Sequence, residues 1–177
     1  ALTNSFGGSL IILGSVSNII VVQKAGEMGI HISFRDYARL GIPVIYGVDA
    51  IHGVNYTKGA TLFPQSIAMA ATFNTELSKK EGAITAVELR ACGTPWNFNP
   101  VLGMGRNPVW PRLWETYGEN VYLASELGKA YIKGQEGAQN DISDSTKVAT
   151  CMKHYLGYSF PLSGKDRTPA WIPERML

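Results

Sequence analysis

The chain has 177 residues, of which 45% are hydrophobic and 17% charged, and it carries 19 glycines and a formal net charge of +2. This apolar content excludes disorder and fits one soluble globular domain spanning residues 1–177; a charged fraction below the usual ~25% implies that part of the surface packs against something, as in a piece of a larger body. Its 16 basic and 14 acidic side chains are scattered, without the basic cluster that neutralises phosphates, so nucleic acid is not an expected partner.

Ser9 to Leu13, flanked by Gly7-Gly8 and Gly14, reads as a first buried strand. The longest apolar stretch, Leu10 to Val22, is interrupted by Gly14, Ser15, Ser17 and Asn18, short of the ~20 continuous apolar residues that span a bilayer, so no membrane span is expected. The chain opens at Ala1 with no charged leader or cleavage pattern, and an export signal is not expected within it. A helix capped by Asn18 and weakened by Gly26 and Gly29 is predicted over Ile19 to Leu40, ending at Gly41-Ile42-Pro43. Val44 to Val48 is a second strand that closes on Asp49 and opens into a polar loop through Gly59.

Asn74 or Thr75 caps a helix over about Glu76 to Ala91, on the helical spacing of Leu77, Ile84, Val87 and Ala91, with Gly93 past its end. Asn97 to Leu102 is a third strand, followed by a long loop rich in Gly, Pro, Arg and Trp that runs to Glu119. Asn120 caps a helix in which Leu123, Ala124, Leu127, Ala130 and Tyr131 share a face, and Val148 to Met152 is a fourth strand ending at Lys153-His154. Strands alternating with helices predict an α/β fold of parallel βαβ units. Phosphate-cradling glycine loops are absent, so nucleotide binding has no support. Cys92 and Cys151 have no metal-spaced partners and read as two buried free thiols.

The polar residues fall where a barrel would use them. Asp49, the loop to Arg112, and Lys153-His154 all follow the C-terminal ends of predicted strands, the face on which (β/α)8 barrels build their sites. Asp49 fits either a hydrogen-bonding role toward sugar hydroxyls or a structural turn or ion pair. Lys153 and His154 are adjacent, so a regular strand would send them to opposite faces; joint function requires the strand to end or bulge there. Arg112 is either ion-paired or functional, and its neighbours Trp110 and Trp114 suit a sugar platform or the core equally. His31 and His52 lack zinc-type spacing and read as structural.

Taken together, Gly47-Val48-Asp49-Ala50-Ile51-His52-Gly53 and Gly59-Ala60-Thr61-Leu62-Phe63-Pro64 resemble the opening motifs of glycoside hydrolase family 3. Gly105 to Glu119, with Arg106-Asn107-Pro108-Val109-Trp110-Pro111-Arg112 and Glu115-Thr116-Tyr117-Gly118-Glu119, resembles that family's Arg-Asp-Pro-Arg-Trp-Gly-Arg…Glu-Ser-Tyr-Gly-Glu-Asp loop. Lys153-His154-Tyr155 resembles its Lys-His-Phe or Lys-His-Tyr, and Ser163-Gly164-Lys165-Asp166-Arg167-Thr168-Pro169 resembles β-glucosidase-like members. The resemblance implies a (β/α)8 TIM-barrel-like N-terminal domain, here partial at about four β/α units, and retaining hydrolysis of β-linked glucosides. It makes Asp49, Arg112, Lys153 and His154 the residues that hold the nonreducing sugar, and a carbohydrate the partner. It implies a periplasmic or secreted setting. Gly103, Asn107 and Asn120 stand where the family usually has Asp, and Val109 and Pro111 replace its Arg and Gly, so the ion pairs within this loop are expected to differ. Glu115 reads as a scaffold partner for a nearby basic residue.

Retaining hydrolysis needs two carboxyl groups about 5–5.5 Å apart. The family's nucleophile lies in a Ser-Asp-Trp-like motif that does not occur here, so neither nucleophile nor acid/base is assigned within the chain and both are expected beyond Leu177. Asp166 is followed two places on by Thr168, not by the His of the hexosaminidase branch. No cofactor or metal is expected, since two carboxylates suffice and no metal constellation appears. A partial barrel leaves open sheet edges and apolar surface, so self-association or pairing with the missing half is expected. Two other readings stand beside the hydrolase: a non-catalytic carbohydrate-binding or self-associating fragment, and a composite site in which Asp166 or Glu115 of a second copy supplies a carboxylate.

Overall fold

The computed structural model describes residues 45–176. The first predicted strand, the helix over Ile19 to Leu40 and His31 lie outside the described residues. The strands are β1 (Gly47–Val48), β2 (Trp96–Asn97) and β3 (Ala149–Thr150), paired in parallel in the order β1-β2-β3. Between β1 and β2 lie α1 (Ser66–Ala70) and α2 (Thr75–Ala91); α3 (Val121–Glu136) lies between β2 and β3. Short helical turns cover Leu113–Glu115 and Glu174–Met176. Parallel strands joined through helices are the expected βαβ plan, with the short helix α1 added.

The strands are far shorter than their apolar runs. Register pairs Gly47 with Trp96 and Trp96 with Ala149; beyond the ladder, an isolated bridge joins Val101 to Lys153. The Asn99-Pro100, Lys153-His154 and Tyr155-Leu156 peptide bonds are cis. Both long helices begin at the predicted caps. Asn74 Oδ1 accepts from the Glu76 and Leu77 amides at 3.0 and 3.2 Å, and Asn120 Oδ1 accepts from Leu123 at 2.9 Å, satisfying donors that a helix start leaves open.

The helical spacing read from the sequence holds for α2, but the face it buries is not its apolar stripe. Leu77, Ile84 and Val87 are exposed, whereas Ser78, Glu81, Gly82, Thr85, Ala86 and Leu89 are buried. The reason is the closeness of α2 and α3. A Cβ added at Gly82 would stand 2.4 Å from the Tyr131 carbonyl oxygen, and one at Gly134 would stand 2.2 Å from that of Lys79. Backbone cannot retreat from such a contact, so the small, polar side of α2 turns inward and its apolar stripe outward. On α3 the expected face holds, with Ala124, Leu127 and Tyr131 buried.

Two apolar clusters lie among the described residues. Ala50, Val54, Ala86, Leu89 and Val148 join α2 to the sheet, and Ala70, Tyr117, Ala124 and Leu127 join α1 to α3. Both thiols are free, but only Cys151 is partly covered; Cys92, at the C-cap of α2, is exposed. The helix ends there, and its thiol lies 3.3 Å from Thr57 Oγ1 near the surface, not in the core.

Candidate functional site

Each candidate residue leaves the C-terminal side of a strand. Asp49 follows β1 directly. Arg112 lies in the loop after β2, at the start of the Leu113–Glu115 turn, and Lys153 and His154 follow β3. The Lys153 ammonium donates to Asp49 Oδ1, joining the strand ends of β1 and β3 across β2. Lys153 is mostly buried, whereas the Asp49 side chain keeps 45% of its exposure, leaving carboxylate surface free to meet a hydroxyl.

Arg112 is held in a fork. Its Nε donates to Glu115 Oε1 at 3.0 Å and its Nη2 to Glu115 Oε2 at 2.6 Å, the bidentate geometry that suits a guanidinium. Glu115 is therefore the scaffold partner expected from the sequence. The hydrogen bond to Glu115 strengthens the guanidinium's hold on its proton. Nη1 donates to the Tyr158 hydroxyl at 3.2 Å, and the guanidinium carbon lies 5.5 Å from the centre of that ring.

Tyr158 brings His154 into the same group, with ring centres 4.3 Å apart. The ladder of β3 ends at Thr150, with an isolated bridge at Lys153 beyond it, and the adjacent Lys153 and His154 side chains both lie beside this cluster. His154 Nδ1 is buried without a hydrogen-bond partner. Burial, with the positive fields of Arg112 and Lys153, pushes the His154 pKa down from 6.5 to about 4. The ring is neutral near pH 7 and offers one N–H donor and one lone pair.

Sequence reasoning passed over Tyr158 and used Asp166 only as a spare carboxylate. The Tyr158 hydroxyl donates to Asp166 Oδ1 at 2.8 Å, and the Trp110 indole N–H donates to the same oxygen at 3.2 Å. Burial acts to raise the Asp166 pKa, but these hydrogen bonds and Arg112 outweigh it and hold it below the usual carboxylate value. Trp114 is half exposed; Trp110 is only 1% exposed, so of the two readings left open for it the core holds, and its indole N–H anchors Asp166. Only contact across 56 positions of chain reveals this role.

The departures from the family loop have local uses. Asn107 Oδ1 accepts from the Val109 amide at 3.0 Å and shapes the turn, and Asn120 caps α3. At Gly103 a Cβ would meet Ser159 Oγ at 2.7 Å, so its lack of a side chain makes room for the loop that carries Tyr158. His52 Nδ1 lies 3.0 Å from the Phe63 carbonyl oxygen, a structural contact. Among the described residues no group of three or more His, Cys, Asp or Glu side chains is placed to hold a metal ion, and no helix is long and apolar enough to cross a membrane.

Residues 2–177 match the family model described as the glycosyl hydrolase family 3 N-terminal domain. A lysosomal beta glucosidase of Dictyostelium discoideum is 51% identical over 140 residues, covering 77% of this chain and 17% of that protein. A beta-xylosidase of Formosa agariphila is 37% identical over 148 residues, covering 81% and 20%. A mutant beta-glucosidase from Listeria innocua in complex with laminaribiose superposes with a TM-score of 0.72 at 32% identity, covering 80% of this chain and 19% of that one. The chain thus spans about a fifth of the length of the relatives it matches. On the family match and the parallel βαβ architecture together, the chain belongs to glycosyl hydrolase family 3 and has the TIM-barrel-like α/β fold of its N-terminal domain.

Proposed function

We propose that this chain serves retaining hydrolysis of β-linked glucosides by orienting the nonreducing sugar, with the catalytic carboxyl pair supplied by other residues of a longer enzyme. The observation that carries the reading is the convergence of Asp49, Lys153, Arg112 and His154 on one cluster at the strand ends. A sugar hydroxyl donates to the open side of the Asp49 carboxylate while accepting from Lys153 or Arg112, and the neutral His154 ring serves a neighbouring hydroxyl in either sense. These charge-assisted contacts fix the ring in orientation.

The carboxylates that a composite site would use are already engaged: Glu115 by Arg112, and Asp166 by Tyr158 and Trp110. That argues against the composite site. The relatives' names, beta glucosidase and beta-xylosidase, support a sugar carrying equatorial hydroxyls, and a periplasmic or secreted setting belongs to the same proposal. Two carboxylates carry out such hydrolysis without a cofactor.

The test is hydrolysis of a chromogenic β-glucoside by the purified chain of verified mass. No turnover is expected. Turnover abolished by Asp49→Asn would mean that a carboxylate within these residues, or from a second copy, completes the site, and the division of labour proposed here would be wrong.

Self-association is the second reading, and a specific observation favours it. Among the described residues β3 has no partner on its far side, and beyond it Met152 and Tyr155 are 66% and 96% exposed. An open parallel edge beside apolar surface invites pairing. Sedimentation velocity is expected to show species larger than the 19.3 kDa chain that dissociate on dilution; a monomer at every concentration would exclude this reading.

A further inference from the structure

The two peptide groups that flank Asp49 are both pinned at the end of β2, to Phe98 and Asn97, by different means. On one side the Val48 carbonyl accepts from the Phe98 amide at 2.9 Å, an ordinary ladder contact. On the other the Ala50 N–H donates to the side-chain oxygen of Asn97 at 3.0 Å. The backbone ladder gives way at Asp49, and side-chain amides continue it. Asn97 Nδ2 lies 3.4 Å from the Ala50 carbonyl oxygen, the Tyr131 hydroxyl donates to that oxygen at 3.3 Å, and Asn99 Nδ2 donates to the Ile51 carbonyl at 3.3 Å.

The Asn97 carboxamide is itself locked. Its Nδ2 donates to Gln135 Oε1 at 3.2 Å, and Gln135 Nε2 donates to the Tyr131 hydroxyl at 3.1 Å. Asn97, Asn99, Tyr131 and Gln135 are all at most 1% exposed. An asparagine at the centre of a buried parallel sheet is costly unless its polar atoms are used, and here they are spent on the residues just after Asp49. The torsions of Asp49 lie between these two anchored planes, so they fix the direction in which its carboxylate leaves the strand toward Lys153.

We propose that Asn97 is a positioning residue for Asp49: its side-chain amide replaces the sheet ladder at Ala50 and aims the Asp49 carboxylate at Lys153. The consequence for sugar binding rests on the orienting role proposed above, whereas the geometric part does not. The experiment is zero-length carbodiimide coupling of Asp49 to Lys153, quantified by peptide mass mapping, with the Glu126–Lys129 contact on α3, 2.9 Å, as internal control. Asn97→Leu keeps the volume and removes both polar atoms; it is expected to lower the Asp49–Lys153 product by about tenfold, as loss of a buried hydrogen-bond anchor should. A merely structural role would lower the melting temperature, or both products together, but would not remove this product alone.

Should Asn97→Leu fail to fold, Tyr131→Phe removes only one hydroxyl from the network and is expected to lower the same product by about threefold. An unchanged product in the folded variant, or in Tyr131→Phe where that variant has to stand in, overturns the proposal. Glucose titration of the same proteins separates the two ideas. Absence of glucose binding by the unsubstituted chain, with the coupling product lost in the variant, would sink the sugar-orienting reading and leave the positioning role standing.

Discussion

Glu81→Gln is expected to stabilise the protein by on the order of 3 kcal/mol near pH 7 and to change little near pH 4. Glu81 is buried on the inner face of α2, and burial raises its pKa from 4.5 to about 8. The unfolded chain releases this proton near 4.5, while the folded chain keeps it up to about 8. Between those values the native state binds more protons, so its stability falls as pH rises, and above the window the penalty is constant. Glutamine presents a similar shape with no proton to lose. Urea melts of both proteins across this range should diverge steadily with pH; parallel profiles would show that Glu81 reaches solvent and ionises freely.

Removal of a second glutamate should act in the opposite direction. Glu115→Ala is expected to cost about 1–3 kcal/mol, because it leaves a partly buried guanidinium without its forked partner. The pair is close, 2.6 Å at its shorter contact, and its side chains are only 22% and 14% exposed. Tyr158 alone would then hold Arg112. The double variant Glu115→Ala with Arg112→Met should recover much of the loss, since no orphaned charge remains. Denaturant melts of the four proteins in the cycle measure the coupling; a coupling below about 0.5 kcal/mol would mean that the pair behaves as a solvated surface contact. The contrast between Glu81 and Glu115 is one of partners: burial alone penalises a carboxylate, whereas a fixed cation beside it turns the same group into a scaffold.

The sequence made some of this legible because certain signals are local. Asn74 and Asn120 announce helix starts through their own side chains, and apolar runs ending at Asp49 and Lys153 announce strand ends facing a site. Glu115 stands three residues after Arg112, a spacing that permits the observed fork. Other features depend on contacts that no local pattern encodes. The spacing of Leu77, Ile84 and Val87 identifies a helix but does not say which side a neighbour covers; the close approach at Gly82 and Gly134 decides that. Trp110 is equally apolar as platform or core until Asp166, far along the chain, takes its indole N–H. Asn97 and Asn99 lie within a run that reads as an ordinary strand, and only the position of Ala50 and Ile51 shows why amides stand there. The brevity of β1 has the same origin, since side-chain amides replace backbone pairing beyond Val48.

Calorimetric titration of the chain with glucose tests the central claim most directly, with Asp49→Asn titrated under the same conditions. One-site binding is expected, weakened by about tenfold or more in the variant, the loss that follows from removing a charge-assisted hydrogen bond of ~1.5–3 kcal/mol. Absence of heat at millimolar glucose, or equal affinity in the two proteins, would contradict the claim that Asp49, Lys153, Arg112 and His154 orient a sugar.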